Sequence, residues 1–124
     1  MTAPTSQPVR ADLRRLIVSV SSLEQSLAFY GEVLGLRLDS STDELAHLAT
    51  GDGTEVMLHQ RPAQATDAGV AVGFVVEDLS ATVHAWRARG GSVIDPPEIQ
   101  PWGEFMAVVR DPDGHIVCLS GRPQ

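Results

Sequence analysis

Apolar residues recur along this chain in two alternating rhythms. An apolar run from Leu13 to Val20, broken by Arg14 and Arg15, predicts a first strand. Leu23, Leu27, Tyr30 and Leu34 then follow at spacings of four, three and four, which is one face of a helix. Ser22 with Gln25 is a capping-box pattern at its start, and Gly35 is a natural stop. Short strands are predicted over 36–40, 44–49 and 54–60, the last two joined by the hairpin signal Gly51-Asp52-Gly53. Beyond a Pro62-containing stretch of small polar residues, the rhythm restarts. A strand is predicted over 70–76, followed by a helix capped by Asp78, with Leu79, Val83 and Trp86 inward and Gly90-Gly91 at its end. A strand from Ser92 is predicted to stop at Asp95, before Pro96-Pro97. Strands over 104–110 and 115–120 flank Asp111-Pro112-Asp113-Gly114, a strong turn sequence.

The second half restates the first. Val20, Leu23, Leu27 and Tyr30 each have a counterpart 56 residues on, in Val76, Leu79, Val83 and Trp86. Gly35 and Gly91 keep the same spacing. A repeated unit that cannot bury its own apolar face must pack on its partner. The pattern predicts an α+β fold of two βαβββ modules, with a ligand groove where their sheets meet. Residues 1–10 are expected to form a flexible arm. One domain is expected over 11–122, with module one at 13–60, a linker at 61–69 and module two at 70–120.

Composition narrows the function. The net charge is −7, from 16 acidic and 9 basic residues, which disfavours nucleic acid and anionic membranes as partners. It suits a cationic small molecule, or simply solubility. No apolar stretch is long enough to span a membrane, and the polar start is unlike a secretory leader. A single cysteine, Cys118, leaves no internal disulfide, so a cytoplasmic location is expected.

Three stretches carry a family likeness. Residues 20–36, Val76-Glu77-Asp78-Leu79, and Pro101-Trp102-Gly103 with Asp111-Pro112-Asp113-Gly114 together resemble the vicinal oxygen chelate superfamily: glyoxalase, bleomycin resistance proteins and extradiol dioxygenases. The resemblance implies an open, cup-shaped sheet, a homodimer, and a divalent metal held by one residue from each of four strands. Carried over by position, those residues are Arg15, Met57, Ala71 and Cys118. Arginine has no lone pair to give, alanine has no donor atom, and a thioether with one thiol does not suit Mg, Mn or Fe(II). The expectation is therefore a binding protein with neither metal nor other cofactor, sequestering an antibiotic or metabolite. The alternative is a lyase, isomerase or dioxygenase with its divalent metal displaced to His47, Glu55 and His59. A third option is a cofactor-independent catalyst in which Arg15 and Glu55 move a proton.

Strand alternation extends the lining. Arg15 brings Ile17 and Ser19; Met57 brings Glu55 and His59; Ala71 brings Gly73 and Val75; Cys118 brings Ile116 and Ser120. A hairpin symmetric about Asp52 would set His47 opposite Met57. Arg15 could hold a carboxylate or phosphate, or pair internally with Glu55. Trp102 could lie over a planar ligand or cap the core. Cys118 is expected as a packing residue, His84 as solvated and His115 at the rim. The expected ligand-binding set is Arg15, Ser19, His47, Glu55, Met57, His59, Ala71, Trp102 and Cys118.

Overall fold

The computed structural model describes residues 13–65 and 69–122. The expected arm at 1–10 lies outside the described residues, as do positions 66–68 of the expected linker. The first half runs β1 (Arg15–Val20), α1 (Leu23–Leu27) continuing into a π-helical stretch (Ala28–Val33), β2 (Arg37–Ser41), β3 (Leu45–Ala49) and β4 (Glu55–Gln60). The second runs β5 (Val72–Val76), α2 (Leu79–Ala88), β6 (Ser92–Ile99), β7 (Phe105–Arg110) and β8 (Ile116–Gly121). Each half folds as one four-stranded sheet, in the order β1-β4-β3-β2 and β5-β8-β7-β6. The first strand of each pairs in parallel with the last, β1 with β4 and β5 with β8, and every other pairing is antiparallel. The fold is α+β, built of two βαβββ modules.

Alternation decides which sheet face is buried. On one side Val18, Val20, Ala46, Leu48, Val56 and Leu58 are buried, and so are Ala107, Val109, Val117 and Leu119 in the second sheet. The helices close over these faces with Leu23, Phe29 and Tyr30 from one module and Leu79, Val83 and Trp86 from the other. The rings of Phe29 and Trp86 meet edge to face, 4.9 Å between centroids, so the two modules share one core. Both helices start on the expected caps: Ser22 Oγ accepts from Gln25 N and Asp78 Oδ1 from Ala81 N.

Two elements depart from the sequence pattern. The first helix does not stay α-helical. Leu34 N donates to Phe29 O, five residues back, and this wider turn brings Phe29 and Tyr30 inward together. Leu27 and Leu34, expected inward, are only partly buried, and Ser26 is buried instead. The extra residue also changes which glycines correspond. The left-handed glycines that end the helices are Gly35 and Gly90, at φ +71° and +87°. Gly91 does different work: a Cβ there would lie 2.2 Å from Trp86 Cδ1 and 2.7 Å from Phe29 Cε2. The second departure is β6, which runs through Pro96 and Pro97 to Ile99. It is an edge strand paired only with β7, and its register shifts at Val93/Asp95 and Asp95/Glu98. A proline is tolerated where no neighbour needs its N–H. Among the described residues, no helix is long and apolar enough to cross a membrane.

Candidate functional site

Each sheet leaves one face open. In the first module the register sets Arg15 beside Glu55, Ile17 beside Met57 and Ser19 beside His59, with His47 opposite Met57 on β3. Six of the nine site residues expected from the sequence, Arg15, Ser19, His47, Glu55, Met57 and His59, therefore share this face. The other three belong to the second module. Cys118 pairs with Gly73 on its open face, Ala71 lies exposed just before β5, and Trp102 is exposed in the β6–β7 turn. Trp102 is thus not a cap on the core.

Glu55 organises the first face. Its Oε2 accepts from Arg15 Nε at 3.0 Å and from Arg14 Nη1 at 3.3 Å, and its Oε1 lies 2.6 Å from His47 Nδ1. The bond from His47, aided by Arg15, holds the Glu55 carboxyl below the usual range against the cost of partial burial. An ionised Glu55 accepts, so Nδ1 of His47 carries the proton in this pair. Arg15 accordingly makes the internal ion pair. Nearby, Arg61 Nε donates to Ser19 Oγ at 2.7 Å.

The second face carries less charge. Glu104 Oε2 accepts from Ser120 Oγ at 2.5 Å and Oε1 from the Trp102 indole at 2.9 Å. These two bonds, Ser120 first, lower its carboxyl. Burial, then the Glu104 charge, push the Cys118 thiol up, away from the thiolate a nucleophile needs.

A cavity of about 350 Å³ lies at the seam between the modules, lined by Ile17, Ser19, Tyr30, Val72, His115 and Ile116 among others. At one end is the Asp111–His115 turn. Asp111 Oδ2 accepts from Tyr30 Oη at 2.7 Å, and its Oδ1 from the backbone of Asp113 and His115. Asp113 accepts from Ser21 N and Oγ, and His115 Nε2 lies 2.7 Å from Ser19 O. His115 is therefore buried and bonded rather than at the rim. Burial and the adjacent Asp111 push the Tyr30 phenol well above its ordinary value.

The turn corrects one expectation. Among the described residues, Asp111, Asp113 and His115 form the group whose possible metal-ligand atoms all lie within 4.8 Å of one another. Two carboxylates and an imidazole suit a divalent ion in donor type, so the expectation of neither metal nor cofactor does not stand. His47, Glu55 and His59 form no such group, and the donor set at Arg15, Met57, Ala71 and Cys118 does not fit such an ion. The sequence reading took Asp111 to Gly114 only as a turn, although three of the five residues from Asp111 to His115 carry ligand atoms. It also passed over Glu104, whose partner Ser120 is 16 residues away.

The family described as Glyoxalase/Bleomycin resistance protein/Dioxygenase superfamily matches residues 12–119. The chain is 30% identical over 115 residues to the lactoylglutathione lyase of Haemophilus influenzae, covering 82% of this chain and 85% of that protein. It is 28% identical to lactoylglutathione lyase GLX1 of Arabidopsis thaliana over 86% of its own length, but spans only 43% of that relative. In structure it is similar to a glyoxalase-related enzyme from Fulvimarina pelagi, with a TM-score of 0.78, 21% identity, and 90% and 88% of the two chains covered. It is also similar to a family enzyme from Burkholderia phytofirmans, with a TM-score of 0.76, 17% identity, and 90% and 98% covered. The metal dependence that the family resemblance implies opposes the cofactor-free expectation from a second side.

Proposed function

The chain belongs to the glyoxalase/bleomycin resistance protein/dioxygenase superfamily, and on that premise we propose that it binds a small organic molecule against the open faces of its two sheets. One observation carries the reading. Within strands whose alternate residues, Leu16 and Val18 in β1 and Phe74 and Val76 in β5, pack against the core, Ile17 is 53% exposed and Val75 57%. These faces hold apolar side chains and a few fixed polar groups, the usual make-up of a small-molecule site. Arg15, His47, Glu55, Met57, His59 and Ser19 would meet the ligand on one side, and Ala71, Cys118 and Trp102 on the other. Arg15 engages Glu55 through Nε, which leaves its Nη groups to a ligand oxygen. A second copy of the chain completing the groove is part of this reading. A thermal-shift panel of amphipathic metabolites and antibiotics tests it. A true ligand at 100 times its Kd stabilises by about 2.7 kcal/mol. That gain should vanish in Met57→Trp, which fills the first face. A panel in which no compound raises Tm removes the proposal.

A specific observation also favours a metal-dependent lyase or isomerase: the Asp111, Asp113 and His115 donors beside the seam cavity. Bound there, a divalent ion would act as a Lewis acid on substrate oxygens. These same residues now hold Tyr30, Ser21 and the Ser19 carbonyl in place. Elemental analysis of the purified protein, wild type against Asp113→Asn, decides it. Stoichiometric metal lost in the variant supports the enzyme, and metal at background in both sinks it. Turnover of lactoylglutathione, the compound in the relatives' name, is the matching activity assay.

A further inference from the structure

The carboxylates on the two open faces are held very differently. Glu55 is bonded by two guanidinium groups and an imidazole. Glu104 is bonded by two neutral donors, an alcohol and an indole. The ion pairs among the described residues, which join Arg14 and Arg15 to Glu55, Arg37 to Asp39, Arg89 to Glu32 and Arg122 to Glu77, do not include Glu104. A carboxylate offers about four lone-pair sites, and two are used here. Ser120 and Trp102 fix its position without cancelling its charge.

The surroundings are apolar and accessible. Trp102 and Ile99 are each 68% exposed, and Val75 and Phe105 are exposed beside them. A groove of about 550 Å³ runs along Val75, Ile99, Glu104, Phe105 and Ser120. The indole N–H lies in the plane of its ring, so donating to Glu104 puts the carboxylate at the ring edge and leaves the ring faces open. A cation resting on the indole face would meet the ring quadrupole and the carboxylate together. Arg122 also borders the groove, but its Nε is 2.5 Å from Glu77 Oε1, which occupies its charge.

We propose that Glu104, Trp102 and the apolar groove beside them form a subsite for an organic cation, an ammonium group carried on an aromatic or aliphatic body. This rests on the reading of the open faces as the ligand site and names the ligand chemistry of one of them. The net charge of −7 favours the same sign of ligand. The occupant is a small molecule: the groove has an apolar lining in Val75, Ile99 and Phe105 for its body and one acidic side chain, Glu104, for its charge.

The test uses the full chain and two probes of equal shape: benzylamine, charged at pH 7, and benzyl alcohol, neutral. Trp86 is fully buried and Trp102 exposed, so quenching or blue shift of the exposed indole reports binding. Benzylamine should bind at least tenfold more tightly than benzyl alcohol. Glu104→Gln keeps a hydrogen-bond acceptor for Trp102 and removes the charge, and it should abolish that preference. Trp102→Leu, followed by amide chemical shifts of Glu104 and Phe105, should weaken the amine about tenfold. Equal binding of the two probes, or an unchanged preference in Glu104→Gln, overturns the subsite while leaving the broader small-molecule reading to the thermal-shift panel. No response to either probe also overturns it. Chemical shifts of Val20 and Val109, both buried in the core, show that each variant is folded.

Discussion

In the first module Arg14, Arg15 and His47 converge on Glu55; in the second, Ser120 and Trp102 converge on Glu104. The backbone beneath is the same unit twice: the first and last strands lie side by side in parallel, and the other two continue antiparallel to the sheet edge. The buried sides also match. Tyr30 and Trp86 sit 56 residues apart, both fully enclosed, and each hydrogen-bonds to the β7–β8 region: Tyr30 to Asp111, Trp86 to the Arg110 carbonyl. Duplication therefore preserved what closes the core and released what faces outward. The shared features answer to packing and the divergent ones to whatever each face meets.

The comparison predicts its largest effect at the shared aromatics. Trp86→Ala removes the ring that meets Phe29 and the donor to Arg110 O, and should cost about 3–5 kcal/mol in urea unfolding. Tyr30→Phe keeps the ring but leaves Asp111 Oδ2 without the phenol donor, and should cost about 1–3 kcal/mol. A loss below about 1 kcal/mol for Trp86→Ala would mean that the Phe29–Trp86 contact does not hold the modules in one core.

The helix ends separate the modules next. Gly91→Ala drives a Cβ into Trp86 and Phe29, both immobile in the core, and should cost about 1–3 kcal/mol. Gly35→Ala meets open space and only the strain of φ +71°, close to the ~1 kcal/mol of a left-handed residue. A reversed order of the two losses, read by urea midpoint, would break the assignment of close approach to Gly91 and turn geometry to Gly35.

The pH dependence sharpens the contrast between the two carboxylates. Both Glu55 and Glu104 are lowered, so each contributes stability that is complete above the unfolded carboxylate value near 4.3 and is lost as pH falls through the folded value. Glu55→Gln should flatten that acid-side loss, and so should Glu104→Gln. Only the first should also lessen the loss of stability with added salt in the neutral range, because of the two only Glu55 is paired with cations whose attraction salt screens. At the other end, the raised Tyr30 contributes stability that is full below pH about 10 and declines as pH climbs past it; Tyr30→Phe should erase that alkaline decline. Urea midpoints across pH measure all three.

Most of the scaffold was legible in the amino-acid pattern because it rests on local chemistry. Alternation marks the strands, Ser22 and Asp78 mark the helix starts, and Asp-Pro-Asp-Gly marks its turn. The failures share a cause. The run through Pro96-Pro97 depends on β6 being an edge strand, which only the assembled sheet decides. The π-helical stretch depends on Phe29 and Tyr30 both being drawn into a core supplied by the other module. His115 looked peripheral because its acceptor, the Ser19 carbonyl, is 96 positions away. The register of His47 against Met57 followed from the hairpin about Asp52, whereas that of Arg15 beside Glu55 rests on the separate parallel pairing of β1 with β4. The Asp111, Asp113 and His115 cluster was hidden in plain sight, since a turn motif explains the same residues without reference to ligands.

The π-helical stretch leaves one residue without an assignment, and it yields the smallest prediction. Ser26 is fully buried just before the stretch begins, and its hydroxyl has no hydrogen-bond partner among the described residues. Its backbone N–H already donates to Ser22 O at 3.0 Å. A buried hydroxyl with no partner costs desolvation and returns nothing. Ser26→Ala removes that cost in a helical residue and adds helix propensity, so stability should rise by about 1 kcal/mol. In the second module the position 56 residues on is Thr82, whose hydroxyl donates to Asp78 O at 2.8 Å. Thr82→Ala should therefore lower stability slightly, by about 0.5–1 kcal/mol. Opposite signs at matched positions would show that the first module tolerates an unsatisfied group its twin does not. Matching signs would mean that the Ser26 hydroxyl is hydrogen-bonded.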